Sequence, residues 1–198
     1  MGRKYNPDNF SPYYFGSRSI GIDPGYGSSA FGIVVTEWQD DHIRILYAEE
    51  YHRPDYAEML SIVYRLMSKY QVDKVYIDGA NPSFIRSLKI QISENAEYDK
   101  VIARYSSEGW GDDKDGWAQN MRIVPVNFNK EHKAMLGHCK MILEDDGKIA
   151  INPIFNKLVT GLRTAVDADG TLDKESTSYN DIFDAFRLAL KFYQFREQ

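Results

Sequence analysis

Four aspartates carry most of the chemistry that this sequence could perform. Asp23 ends an apolar run directly before a Pro-Gly break, and Asp78 ends a second such run before Gly79. Asp181 and Asp184 are three residues apart near the C-terminus, a spacing at which side chains of a helix are neighbours. Carboxylates brought together would raise each other's pKa values, and hard divalent cations remove the cost of that repulsion.

The chemistry expected from such a group of aspartates is phosphodiester hydrolysis. Aspartate oxygens are ligands that Mg²⁺ and Mn²⁺ prefer. Two such ions, about 3.5–4 Å apart, activate a water molecule and stabilise the leaving oxygen of an in-line displacement. Each aspartate alone could equally be structural, because Asp is common at turns and in first helical turns. The hypothesis of metal-dependent hydrolysis therefore depends on the aspartates lying together. It assigns Asp23, Asp78 and Asp181 as the catalytic metal ligands.

The roles of Asp181 and Asp184 depend on how the last helix is oriented. On a helical wheel, Arg187 and Lys191 mark the expected solvent side. Asp184 falls nearer that side, and Asp181 falls nearer the expected sheet. We therefore expect Asp181 to bind metal directly and Asp184 to be a second metal ligand or a partner of the ligands.

The elements that must position these aspartates follow from the hydropathy pattern. Three β-rich runs joined by short turns predict an antiparallel meander, and two further strands are predicted, the last with Pro125 at an edge or a bulge. The predicted strands cover 19–23, 30–38, 42–51, 73–79 and 122–127. Helical spacing predicts helices at 57–70, 83–92, 130–144, 153–166 and 179–195.

This order predicts an α/β fold with a mixed five-stranded sheet flanked by helices, of the ribonuclease H type. The first and fourth strands are neighbours in this topology, so the strand ends that carry Asp23 and Asp78 should meet. We expect residues 1–18 to be an N-terminal arm or linker remnant and residues 19–198 to be one domain. The acidic, Gly- and Trp-rich stretch within 93–120 is interpreted as an exposed insertion or loop.

Composition restricts the kinds of partner. The chain has 198 residues, 24 basic and 29 acidic, so any contact with nucleic acid requires a local basic surface. Lys130 and Lys133 could contact phosphates there, although a solvated helix face would look the same. The single cysteine, Cys139, excludes an internal disulfide and suits a reducing cytoplasm. No apolar run approaches the ~18 residues of a membrane span, so no membrane is expected.

Motifs around the aspartates resemble those of ribonuclease H-like nucleases. The segment SIGIDPG at 19–25 resembles their first motif, as found in Holliday-junction resolvases and, more closely, in the nuclease domain of viral large terminase subunits. The segment VYIDG at 75–79 resembles the second terminase motif, and YNDIFDA at 179–185 resembles the third. In that third motif, Tyr179 and Asn180 stand where terminases often carry His and Asp.

The resemblance implies a metal-dependent endodeoxyribonuclease with two divalent cations, Mg²⁺ or Mn²⁺. The implied substrate is double-stranded DNA during packaging into a viral capsid, in the host cytoplasm. The implied partners are an ATPase motor domain and the portal and capsid machinery. The phosphate-loop pattern G-x-x-x-x-G-K-[ST] does not occur in this sequence, so we expect either an excised nuclease part or a free-standing relative.

Three other functions stay open at this point. A resolvase-like nuclease would use the same metals on a branched substrate and act as a symmetric dimer. The segment GIDPGYGS at 21–28 also resembles the first phosphate loop of actin-like ATPases, which need two such domains around the nucleotide. A non-catalytic nucleic-acid-binding domain would keep the fold, but clustered carboxylates without a metal would be costly to retain.

Overall fold

The structure is a computed structural model in which the sheet predicted from the sequence forms the centre of the molecule. The residues it describes are 16–25, 29–39, 42–105, 122–191 and 193, with the backbone alone for 95–105. The strands of the sheet are β1 (Ser17–Asp23), β2 (Phe31–Gln39), β3 (His42–Tyr51), β4 (Lys74–Asp78), β5 (Arg122–Val126) and β6 (Ile149–Ala150). The helices are α1 (Tyr56–Tyr70), α2 (Pro82–Tyr105), α3 (Phe128–Glu144), α4 (Asn156–Thr164) and α5 (Asn180–Leu190). A small hairpin, β7 (Asp167–Ala168) and β8 (Thr171–Leu172), precedes α5.

The strand order in the sheet is β5-β4-β1-β2-β3-β6. The antiparallel meander of β1, β2 and β3 is confirmed, as is the parallel pairing of β1 with β4. Strand β5, which carries Pro125, lies at the edge, where a residue without an N–H disturbs the ladder least. The sixth strand, β6, pairs with β3 over two residues and is too short to leave a periodic pattern in the sequence.

Several boundaries differ from the prediction. The helix predicted over 153–166 covers Asn156–Thr164, and the one predicted over 179–195 ends at Leu190. Strand β1 begins at Ser17, so the end of the predicted arm already belongs to the sheet. Helix α2 continues to Tyr105, so the interpretation of 93–105 as a loop is wrong. That segment does carry apolar residues at helical spacing, Tyr98, Val101 and Tyr105, and its Glu, Ala, Lys and Arg residues favour helix, so the signal is present in the sequence. The rest of the predicted insertion, 106–120, and residues 1–15 of the predicted arm lie outside the described residues.

The sheet is covered on both faces, so the strands contribute to two cores. On one face, Ile22 packs in a cluster with residues of α1 and α2, such as Leu66 and Leu88. On the other face, Val34 packs with residues of α3, α4 and α5, such as Phe186. Alternate residues of a strand point to opposite faces, which explains how neighbouring apolar residues of one strand serve both cores. None of the helices in the described part of the chain is both long enough and apolar enough to cross a membrane.

Helix α5 lies against the middle of the sheet because two glycines leave room for its backbone. A Cβ atom at Gly21 of β1 would lie 2.0 Å from the carbonyl oxygen of Ala185. A Cβ atom at Gly32 of β2 would lie 2.2 Å from the carbonyl oxygen of Asp181. Both distances are far inside van der Waals contact, so any larger residue would push the helix away. The glycines therefore determine how closely the aspartates of α5 approach β1.

The prediction that one side of α5 faces solvent is wrong. Every residue from Ile182 to Leu190 is buried, including Asp184 and Arg187, each 1% exposed. Helices α3 and α4 cover the side of α5 that faces away from the sheet. A helix surrounded by protein has no solvent face, so its charged residues cannot mark one on a helical wheel.

Candidate metal-binding cleft

The four predicted aspartates line one open cleft of about 410 Å³. Asp23 reaches it from the end of β1, Asp78 from the end of β4, and Asp181 and Asp184 from the first turns of α5. The other lining residues are Pro24, Gly25, Ser29, Asn81, Phe128, Asn129, His132 and Lys174. The carboxyl ends of two parallel strands and the start of one helix thus bring together carboxylates that lie far apart in the sequence.

Local backbone features release Asp23 and Asp78 from the sheet. Pro24 has no N–H to continue the ladder after Asp23. The Asp23 carboxylate accepts a hydrogen bond from the N–H of Gly25 at 3.3 Å. The Asp78 carboxylate accepts from the N–H of Ala80 at 3.1 Å. In both cases the carboxylate folds back over the turn that follows its strand, a local pattern typical of aspartate.

The start of α5 is tied to the sheet by two carboxylates. Asp181 Oδ2 accepts from the N–H of Ala30 at 3.0 Å, which links the helix to the start of β2. Glu50 of β3 accepts from the N–H of Ile182 at 3.1 Å, in the place of a capping residue. Burial is the main reason that the pKa of Glu50 is raised, and the Asp181 charge adds to it. Glu50 was not identified from the sequence, because a glutamate at the end of an alternating strand has no distinguishing pattern.

The cleft carries an excess of negative charge. Burial, followed by the charges of Asp184 and Asp181, raises the pKa of Asp23 to about 7. Burial is also the main reason that the pKa of Asp181 is raised. Lys174 opposes both shifts but does not cancel them. Burial and mutual repulsion both disfavour the ionised carboxylates, and a divalent cation bound among them would offset that cost.

The Asp184 carboxylate already forms ion pairs with two basic side chains. Its Oδ1 contacts the Arg187 guanidinium, and Lys174 Nζ lies 2.9 Å from its Oδ2. Arg187 also stacks over the rings of Phe128 and Phe183, at 5.3 and 5.5 Å from their centroids. Across the described ranges, no three His, Cys, Asp or Glu side chains form a compact group that could hold a metal ion as they stand. The donor type and charge of the cleft fit a divalent cation, and side chains would have to turn to enclose one.

Three further side chains in the cleft were not predicted as site residues. His132 Nε2 accepts from the N–H of Leu172 at 3.0 Å, which requires that nitrogen to be unprotonated. Burial lowers the pKa of His132, in agreement with that hydrogen bond. Asn81 caps the start of α2, and its side-chain oxygen accepts from the N–H of Phe84 at 3.0 Å. The third is Lys174, a lysine in an otherwise acidic segment, and that contrast of charge was the only signal for it in the sequence.

The predicted DNA-contacting lysines lie beside the cleft. Lys130 and Lys133 are exposed in the first turns of α3, but neither lines the cleft. The aliphatic part of Lys133 lies against the hairpin turn, since a Cβ atom at Gly170 would be 2.8 Å from its Cε. Other basic residues of the same region face carboxylates, namely Lys140 with Glu144, Lys148 with Asp145 and Lys157 with Glu49. A role for Lys130 and Lys133 in DNA binding stays a prediction.

Replacing Arg187 with Met should destabilise the protein by about 3–5 kcal/mol, because it leaves the buried Asp184 carboxylate with Lys174 alone. Urea unfolding measures the change. The matched control is Lys191→Met directly after the same helix, whose partly exposed pair with Glu131 should contribute less than about 1 kcal/mol. Adding Asp184→Asn to Arg187→Met should recover part of the loss. Equal stability of Arg187→Met and the unmodified protein would contradict a stabilising role for this pair.

Known structures share the fold described above. The large terminase nuclease domain of bacteriophage SPP1, solved with bound Mn, is 15% identical, with a TM-score of 0.59 over 90% of this chain and 87% of that chain. The large terminase nuclease of thermophilic phage G20c is 17% identical, with a TM-score of 0.59 over 96% and 86%. The large terminase of a further thermophilic bacteriophage, in complex with ATP-γ-S, is 11% identical, with a TM-score of 0.58 over 90% and 40%.

The sequence itself matches a family. A comparison with curated proteins gave no match. The profile of the family described as Terminase RNaseH-like domain, however, matches residues 20–191, a range that contains all four aspartates of the cleft. Because this match covers most of the sequence, the chain belongs to the Terminase RNaseH-like domain family.

Proposed function

We propose that this chain is a divalent-metal-dependent endonuclease that hydrolyses phosphodiester bonds of double-stranded DNA during viral genome packaging. It would act as the nuclease part of a large terminase subunit. The observation that carries the proposal is the meeting of Asp23, Asp78, Asp181 and Asp184 in one cleft at the carboxyl ends of β1 and β4. Membership of the terminase family and the shared fold of the SPP1 and G20c nucleases support it.

The cleft suits divalent cations by donor type and by charge. Asp23 has a strongly raised pKa and the charges of Asp184 and Asp181 around it, so it is the proposed central ligand. Asp78, Asp181 and Asp184 would complete the ligand set. The SPP1 nuclease was solved with manganese, and the G20c nuclease with magnesium and with cobalt. Two such ions would supply an activated water and charge stabilisation for the leaving oxygen.

The surroundings of Asp184 support a larger role for it among the proposed metal ligands than the sequence alone indicates. After burial, the charges of both Asp184 and Asp181 raise the pKa of Asp23, so both carboxylates face it. Arg187 holds Asp184 from the buried side, so its carboxylate has a fixed position on the helix. We therefore assign Asp184 a direct role at least equal to that of Asp181. The ammonium group of Lys174 would offset part of the negative charge as a phosphate of DNA approaches.

The proposed partners follow from the terminases that resemble this chain. One large terminase of a thermophilic bacteriophage was solved with ATP-γ-S, and this chain corresponds to 40% of it. An ATPase motor domain is therefore a proposed partner, and the portal and capsid machinery would join them during packaging. The cytoplasm of the host cell is the proposed site of action.

Plasmid cleavage tests the proposed function. We expect the purified chain to nick or linearise supercoiled plasmid with Mn²⁺ or Mg²⁺, and EDTA to stop the reaction. A four-way junction offered in competition with linear duplex separates the two kinds of nuclease, since a terminase-type nuclease should show no preference for the branch. Isothermal titration of Mn²⁺ gives a second readout that does not need a motor. Absence of both cleavage and Mn²⁺ binding would reject the proposal in favour of a non-catalytic domain.

A further inference from the structure

A second cavity adjoins the metal-binding cleft. Its volume is about 380 Å³, within the range of small-ligand sites. It shares Pro24, Gly25, Ser29 and Asn81 with the cleft, so the two spaces lie side by side at the end of β1. We call this second cavity the side cavity. Its remaining lining residues are Phe31, Arg53, Pro54, Tyr56, Met59 and Ser83. A DNA strand bound at the aspartates would therefore have the side cavity directly beside it.

The charge of the side cavity is opposite to that of the cleft. Among the described residues that line it, Arg53 is the only charged one. Within the described part of the chain, no carboxylate forms a salt bridge with Arg53. Its backbone is in the left-handed region, with φ 45°, which is unfavourable for a residue other than Gly, Asn or Asp. Strain of this kind often accompanies functional sites.

Part of the lining of the side cavity is apolar and held in place. Tyr56, the first residue of α1, is 42% exposed. Its ring packs edge-on against buried Phe84, with centroids 5.7 Å apart and planes at 85°. Its hydroxyl donates a hydrogen bond to Ser87 Oγ at 3.0 Å. The exposed face of the ring is therefore oriented before any ligand arrives, and Met59 extends the same apolar wall.

We propose that the side cavity binds the nucleotide next to the scissile phosphate of DNA. The Arg53 guanidinium would contact its phosphate, since arginine presents several donors to phosphate oxygens. The deoxyribose would lie against Tyr56 and Met59. This inference rests on the proposed function, because it continues the DNA strand away from the aspartates. It identifies a cationic contact that a chain with a net charge of −5 needs close to an acidic cleft.

Salt-dependent DNA binding tests the contact of Arg53. The affinity for a short blunt duplex is measured by fluorescence anisotropy between about 50 and 200 mM salt, with Ca²⁺ as the only divalent ion. Arg53→Asn should weaken binding about tenfold. It should also make the slope of the logarithm of the association constant against the logarithm of the salt concentration shallower by about 0.9. Asn tolerates the left-handed backbone, so this variant removes the charge without new strain. Arg53→Lys should keep the slope.

Arg65→Ala is the matched control, since it removes an exposed arginine of α1 roughly 14 Å along the helix from Tyr56. It should leave the slope and the affinity unchanged. Tyr56→Ala should weaken binding without changing the slope, whereas Tyr56→Phe should bind as the unmodified protein does. If Arg53→Asn behaves like Arg65→Ala, the inference is overturned while the nuclease remains. If the unmodified chain neither binds nor cuts DNA, the proposed function falls together with it.

Discussion

Asp23→Asn is expected to reduce metal-dependent DNA cleavage by on the order of a thousandfold, with the fold preserved. Asp23 lies at the centre of the charge cluster, and asparagine keeps its size while removing the negative oxygen that a metal requires. The backbone turn after β1 should survive, because an amide oxygen can still accept from the N–H of Gly25. Plasmid cleavage at saturating Mn²⁺ measures the loss. Full activity of this variant would remove Asp23 from the catalytic set.

The same substitution should make the protein more stable when no divalent metal is present. The pKa of Asp23 is raised from 3.8 to about 7 in the folded protein. This shift corresponds to roughly 4 kcal/mol by which the folded state favours the protonated over the ionised carboxyl group. The folded state binds the proton more tightly than the unfolded state, so the free energy of unfolding falls as pH rises from about 4 to about 7. Above that range the ionised carboxylate remains a cost that asparagine does not carry.

Thermal melts in EDTA between about pH 5 and pH 8 check this second expectation. The Tm of the unmodified protein should fall towards the upper end of that range relative to that of Asp23→Asn, by about 2–4 °C for each kcal/mol. Added Mn²⁺ should reverse the difference, because it stabilises only the protein that keeps the ligand. Asp169→Asn in the exposed hairpin turn is the control and should melt like the unmodified protein. Parallel pH profiles for the two aspartate variants would refute the assigned repulsion.

Gly21→Ala should cost both stability and activity, although Gly21 does not line the cleft. The new Cβ atom would lie 2.0 Å from the Ala185 oxygen and 2.3 Å from the Ala189 nitrogen, both backbone atoms of α5. Helix α5 would have to move away from β1, at a cost of about 3 kcal/mol or more. Because Asp181 and Asp184 belong to that helix, we expect the loss of cleavage to exceed the fraction of protein that unfolds.

Gly137→Ala provides the contrast for this experiment. Gly137 lies within α3, and an added Cβ atom would point into open space, with no atom beyond the local helix backbone within 4 Å. Alanine there should stabilise the protein by about 0.5–1 kcal/mol and leave cleavage unchanged. Urea unfolding and plasmid cleavage are measured on both variants. If Gly21→Ala were as stable and as active as Gly137→Ala, the close approach of α5 to β1 would not be needed for the site.

Much of the fold could be predicted because the information is local. Alternating and helical hydropathy, broken by Pro and Gly, predicts the five main strands and the five helices in the right order. The positions of Asp23 and Asp78 at strand ends follow from the same pattern, and the pairing of β1 with β4 follows from topology rules. A segment as short as the two residues of β6 leaves no such signal. The end of α2 does carry one, in the spacing of Tyr98, Val101 and Tyr105, but the Gly- and Trp-rich stretch that follows obscures where the helix ends.

The environment of the cleft depends on contacts between distant segments. Arg187 and Asp184 have the composition of an exposed helix face, yet α3 and the sheet enclose them, and their mutual charge makes that burial tolerable. The sequence therefore determined which aspartates could meet and at which ends of the sheet, because strand and helix boundaries are written in neighbouring residues. Only the tertiary structure decided which carboxylates Arg187 and Lys174 would hold, and that Arg53 would line a cavity beside them. Burial and charge pairing arise from the packing of segments far apart in the chain, which no local pattern encodes.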